Sequence, residues 1–232
     1  MEHKRLTLFA GHYGSGKTNI AVNYALHLAK EGKKVCIADL DIVNPYFRTA
    51  DSARELAAAG VELISPQFAN TNVDLPALPA EAYRLVEDKS AYGIMDIGGD
   101  DRGAYALGRY VPFMKEEGNY RMAFVANCYR PLTRTPEEAL EVMREIETAC
   151  GLQFTCIVNN SNLGTETTAQ TVMDSLEFIE KLSALSGLPV WLHTAVTDVA
   201  KQLELPNVMP LRLQERYFDL PSQKPQNRPL WG

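Results

Sequence analysis

The stretch LFAGHYGSGKTNIAV, residues 8–22, decides the fold of this chain. A short apolar run meets a glycine-rich loop that ends in Lys-Thr, and a helix-like pattern follows. Gly11-His12-Tyr13-Gly14-Ser15-Gly16-Lys17-Thr18 satisfies G-x-x-x-x-G-K-[ST], with a strand expected before it and a helix after it. Each part has a chemical reason. The glycines let backbone N–H groups converge on phosphate oxygens, and a helix N-terminus adds its dipole. Lys17 suits the β- and γ-phosphates, and the Thr18 hydroxyl suits Mg²⁺. A glycine turn beside a surface lysine would leave the match at every fixed position unexplained. A dinucleotide-binding loop is excluded, because G-x-G-x-x-G started at Gly14 meets Asn19 where its third glycine belongs.

The composition sets the surrounding limits. Of 232 residues, 46% are hydrophobic and 22% charged, ordinary for a globular protein, and the formal net charge is −6. No basic face advertises a nucleic-acid partner. No apolar run approaches the roughly 20 residues that span a bilayer, so no membrane partner is expected. The first residues run straight into a strand, so no signal peptide is expected. Cys36, Cys128, Cys150 and Cys156 show no CxxC or ribbon spacing and read as reduced thiols of a cytoplasmic protein. Cys128, at a strand end, is the best placed of them for a metal or cluster.

Strand-length apolar runs at 5–10, 34–39, 61–64, 91–97, 120–127, 153–159 and 189–194 alternate with helical patterns near 17–31, 51–59, 79–88, 103–115, 135–150 and 167–186. The alternation predicts a three-layer α/β fold, a mostly parallel sheet of about seven strands with helices on both faces. One nucleotide-binding domain, residues 1–205, is expected. Pro206, Pro210, Pro221, Pro225 and Pro229 argue that residues 206–232 are a tail packed on that domain or extending from it. Thr135-Pro136-Glu137-Glu138 writes a helix start with a capping box, and Gly32 and Gly60 write helix ends.

Two strands end in acids. CIADLDIVNPYFR carries Asp39 and Asp41, on one side of the strand if it continues through both. YGIMDIGGDDRGA carries Asp96, suited to Mg²⁺ directly or through water, and Gly98-Gly99, which permit close approach to a γ-phosphate. Ligands bind at the carboxyl ends of parallel strands, where both acids fall. Acidic turns are common singly; two of them together with the loop point to a metal-dependent nucleotide site.

These three motifs together resemble the ParA/MinD/Mrp branch of P-loop ATPases, which includes the nitrogenase iron protein, over most of residues 5–195. The resemblance implies ATP and Mg²⁺ as cofactors and a slow nucleoside-triphosphate hydrolase as the activity. It implies that Asp39-Leu40-Asp41 is a first switch, with Asp39 near Mg²⁺ and Asp41 orienting water. Asp96-Ile97-Gly98-Gly99-Asp100 resembles the second switch, which makes Asp100 a second candidate for positioning water. His12 stands where the branch carries an extra lysine that reaches across a nucleotide-sandwich dimer. The iron protein's cluster cysteines have no counterpart; Gly103 stands where one would follow the second switch. In TCIVNNSNLG, Asn160 aligns with an adenine-reading position, with Asn159 in reserve, and the guanine signature N-K-x-D is missing. Asparagines capping a turn would read the same way.

The expected function is an ATP-dependent switch that couples its nucleotide state to a homodimer or a protein partner, with service to a metalloenzyme or redox complex as a refinement by analogy. Loops carrying Tyr46, Phe47, Arg48, Phe68, Arg130 and Arg134 suit a protein interface. Arg130 and Arg134 equally suit a substrate carboxylate or phosphate. The alternatives are an ATP-dependent kinase or ligase similar to dethiobiotin synthetase, and a nucleotide sensor without useful turnover.

Overall fold

The central strands are buried on both faces, and successive side chains alternate between two separate cores. Leu6, Leu8 and Ala10 point to one face and Phe9 to the other; Met122, Phe124 and Ala126 oppose Ala123 and Val125 in the same way. The computed structural model describes residues 2–40, 52–64, 80–98 and 107–213. Within them the strands are β1 (Leu6–Ala10), β2 (Val35–Leu40), β3 (Glu62–Ile64), β4 (Tyr92–Ile97), β5 (Tyr120–Ala126), β6 (Cys156–Asn159), β7 (Val190–Val196) and β8 (Val208–Leu211). They form one sheet in the order β3-β2-β4-β1-β5-β6-β7-β8, every neighbouring pair parallel.

The described helices are α1 (Lys17–Lys30), α2 (Ala53–Ala58), α3 (Arg84–Glu87), α4 (Val111–Glu117), α5 (Pro136–Cys150), α6 (Ala169–Asp174), α7 (Leu176–Ser186) and α8 (Thr197–Ala200). Helix α1 lays Ile20, Ala21, Tyr24, Ala25 and Leu28 on one face of the sheet; α4, α5 and α7 cover the other with Met114, Met143, Ile146, Ile179 and Leu182. This is the expected three-layer α/β arrangement.

Local chemistry sets several helix ends as expected. Thr135 accepts from the Glu138 N–H while Glu138 accepts from the Thr135 N–H, a full capping box on α5. The helical pattern expected across 167–186 is two helices, broken at Ser175. The buried Ser175 hydroxyl donates to the Val172 carbonyl at 2.6 Å and accepts from Asn159 Nδ2 at 2.9 Å, a local bond that competes with the helical ladder. An eighth strand is the other departure. Residues 208–211, inside the segment expected as a tail, pair with His193–Val196 despite Pro210. An edge strand tolerates a proline whose missing donor would face away from the sheet.

At the amino-terminal edge of the sheet, Arg5 forms a bidentate ion pair with Glu117 of α4. It also donates to the carbonyls of Leu85, Asp88 and Ala91. One guanidinium thus ties the start of β1 to the ends of α3 and α4.

Candidate functional site

The opposite, carboxyl-terminal edge gathers the residues with chemistry. β1 stops at Ala10 and Gly11 carries the chain out with φ +154°; a Cβ there would lie 2.5 Å from the Val125 carbonyl oxygen of β5. Only a glycine fits against that strand end. The loop then turns, with the Ser15 N–H donating to the His12 carbonyl at 3.1 Å, and enters α1 through Gly16 at φ +92°. Lys17 and Thr18, both buried, open α1, at the positions whose N–H groups have no acceptor within the helix itself.

The loop is held from outside as well as by its glycines. Asn160, just past β6, donates from Nδ2 to the Ser15 carbonyl at 2.6 Å, and its Oδ1 accepts from Thr194 Oγ1 of β7 at 2.7 Å. A Cβ on Gly16 would lie 2.3 Å from that same Nδ2. Arg130, in the loop after β5, donates from Nε to the Gly14 carbonyl at 3.1 Å. The segments that follow β5 and β6 therefore both hold the loop, the second of them backed by Thr194 of β7. His12 keeps its Nδ1 2.9 Å from the neighbouring Tyr13 carbonyl, and the Tyr13 ring is exposed.

The two acids expected near a metal are neighbours. Asp39 of β2 and Asp96 of β4 are register partners, 4% and 0% exposed, and Asp96 is also opposite Phe9 of β1, two residues before the loop begins. Adjacent strands run about 4.8 Å apart, so two buried carboxyl groups lie side by side at the sheet edge where β1 runs out into the loop. Oxygen donors of this kind suit a hard divalent cation, which offsets the repulsion between them. Asp41, Gly99 and Asp100 lie outside the described residues, as do Tyr46, Phe47, Arg48 and Phe68.

Behind the loop lies a polar network that sequence reading missed. Asn127, the residue after β5, is fully buried; its Oδ1 accepts from the Tyr129 and Asn162 N–H groups, and its carbonyl accepts from Thr133 Oγ1. Asn159 ends β6, accepts from the Ser161 N–H and faces His193 Nδ1 at 3.3 Å. The available signal was an asparagine ending each of two neighbouring apolar strands, a pattern that turns and ligand sites share. Cys128 donates its N–H to Ser161 Oγ, and burial pushes its thiol pKa up, so the thiolate that a metal would need is disfavoured. All four cysteines are free thiols.

A parallel sheet in which a central β1 feeds a glycine loop into α1 is the fold of P-loop nucleoside triphosphatases. Solved structures of that fold match the chain. The cell division protein FtsY of Thermotoga maritima does so with TM-score 0.57 and 19% identity, over 82% of this chain and 61% of that one. The signal recognition particle receptor FtsY of Elizabethkingia anophelis matches with TM-score 0.53 and 18% identity, over 83% of this chain and 59% of that one. The signal recognition particle 54 kDa protein of Aeropyrum pernix, solved in complex with GDP, matches with TM-score 0.51 and 16% identity, over 83% and 41%. The chain thus spans about three fifths or less of these relatives. They share its fold but stand in a different branch from the one its motifs resemble. No protein-family model and no curated protein sequence matches the chain.

Proposed function

We propose that this chain is a MgATP-binding P-loop nucleoside triphosphatase of the ParA/MinD/Mrp-like branch, acting as a switch that couples nucleotide state to a homodimer or a protein partner. The observation that carries the reading is the meeting of the Gly11–Thr18 loop with Asp39 and Asp96 at one sheet edge. Backbone N–H groups of the loop and the start of α1 hold the phosphates, and Lys17 balances their charge. Thr18, Asp39 and Asp96 form an oxygen donor set that fits Mg²⁺, directly or through water. The bound ion supplies Lewis-acid stabilisation of the charge that builds on the phosphoryl oxygens. In this reading Asp41 would orient the attacking water, with Asp100 the second candidate, and Gly99 would let the backbone approach the terminal phosphate. Arg130, already tied to Gly14, brings a fixed cation from the same chain to a loop that has His12 in place of the branch's extra lysine.

The base is argued from the end of β6. Asn159-Asn160-Ser161-Asn162 carries no carboxylate to accept the two donors of a guanine edge, which supports adenine. The GDP of a relative in the same fold argues for the other base, so the test compares both nucleotides. Lys17→Ala should lose at least about 100-fold in MgATP affinity, measured by fluorescence titration, and the native chain should prefer ATP to GTP. Unchanged affinity in Lys17→Ala removes the loop assignment; a preference for GTP removes the adenine reading. ATP-dependent dimerisation or partner capture by Asp41→Ala supports the switch, whereas phosphorylation of a metabolite by a monomer supports a kinase or ligase.

A further inference from the structure

The far end of α1 carries a second cluster of ligand-type side chains that phosphate chemistry does not use. His27 and Glu31 are one helical turn apart, and His3, from the segment leading into β1, folds back onto them. His3 Nε2 lies 3.1 Å from one Glu31 oxygen and His27 Nε2 lies 3.3 Å from the other. One ligand atom from each residue falls within 4.8 Å of the other two. A tetrahedral ion with bonds of about 2.1 Å holds its ligands about 3.4 Å apart, and each imidazole already stands at about that distance from one of the two Glu31 oxygens. The three ligand atoms need to draw together from within 4.8 Å, and the half-exposed His27 and Glu31 side chains have room to turn.

Two further features fit a metal. Glu31 is the C-cap of α1, where the helix dipole disfavours a carboxylate unless cations or donors face it. The remaining nitrogen of His3, Nδ1, is 3.1 Å from the Tyr24 hydroxyl, which is anchored in the core. A hydroxyl can donate to Nδ1 or accept from it, so Tyr24 can hold His3 in the tautomer that leaves Nε2 free for a metal.

We propose that His3, His27 and Glu31 form a binding site for a borderline transition-metal ion such as Zn²⁺, oriented by Tyr24 and completed by water. Two imidazoles and a carboxylate select such an ion over Mg²⁺, which prefers an all-oxygen set. The ion fastens the lead-in to β1 onto the last turn of α1, the helix whose first turn completes the phosphate loop. Its binding energy then adds to the stability of that βα unit.

The test is calorimetric titration of the full chain, stripped of metal, with Zn²⁺ in saturating Mg²⁺. One ion per chain should bind, and Tm should rise. His27→Ala and Glu31→Gln each alter an exposed side chain and should leave Tm without zinc unchanged, while weakening zinc binding more than tenfold and abolishing the Tm rise. Tyr24→Phe should weaken binding about tenfold as a positioning residue. With Co²⁺, the spectrum should show nitrogen and oxygen ligation and no thiolate band. Uptake that survives His27→Ala unchanged, or that disappears only on replacing Cys128, overturns the proposal. So does a chain that takes up no zinc.

Discussion

Asn160 commits both ends of its carboxamide inside the molecule, one to the phosphate loop and one to Thr194. Asn160→Ala leaves the Ser15 carbonyl and the Thr194 hydroxyl without that buried partner, at about 1–3 kcal/mol for each group left unsatisfied. It should therefore lower stability in urea and weaken nucleotide binding by roughly tenfold or more. The comparison of ligands separates two roles. A brace for the loop weakens ATP and inorganic triphosphate alike, whereas a reader of adenine weakens ATP alone. Equal affinities for native and variant chains for both ligands would end the brace argument. The motif-bearing side chains were legible in the sequence because Lys17, Thr18, Asp39 and Asp96 belong to local patterns. Asn160 was legible as a residue, but its contact with Ser15 spans 145 positions and left no local trace.

At the scale of elements, β8 shows where sequence reading and packing part. Proline density argued for a tail from residue 206, yet Met209 and Leu211 are buried against the α1 face of the sheet. Asn23 of α1 adds a pair of bonds to the Arg212 backbone, accepting from its N–H at 2.8 Å and donating to its carbonyl at 2.9 Å, so a side chain continues the edge past the strand. A four-residue strand carries too little periodicity to be read locally, and its partner β7 decides it. A chain ended after Leu205 loses two buried side chains worth about 1.5–3 kcal/mol each and bares the edge of β7. Compared with a chain ended after Leu213, its Tm should be lower by at least about 6 °C, and light scattering should show aggregation on warming. Identical melting curves would demote β8 to a surface strap.

For the molecule as a whole, acid should act through a buried histidine. His193 of β7 faces Asn159 Nδ2 with its Nδ1, which suits a neutral ring accepting a hydrogen bond, and burial pushes its pKa down. The unfolded chain then binds the proton that the folded chain refuses, so stability falls as pH drops below about 6.5, by at most about 1.4 kcal/mol per pH unit, until the folded pKa is passed. Unfolding in urea from pH 7.5 down to pH 5 should show a shallower slope for His193→Gln than for the native chain. Parallel curves would mean that His193 carries no linked proton. The overall layering was legible because each face of the sheet is written as alternate apolar residues; the asparagine and histidine joints between strand ends were not, because polar residues at strand ends read equally as turns.

The hold of residues 160 and 194 on the loop at 11–18 also has a consequence during translation. The glycine loop emerges early from the ribosome, yet its brace is made only when β7 has been synthesised. At about 5–20 residues per second, roughly 10 to 35 s separate the two events. Through that interval a nascent chain displays the phosphate motif without its brace, so on the proposed function nucleotide binding is expected only once synthesis has passed β7.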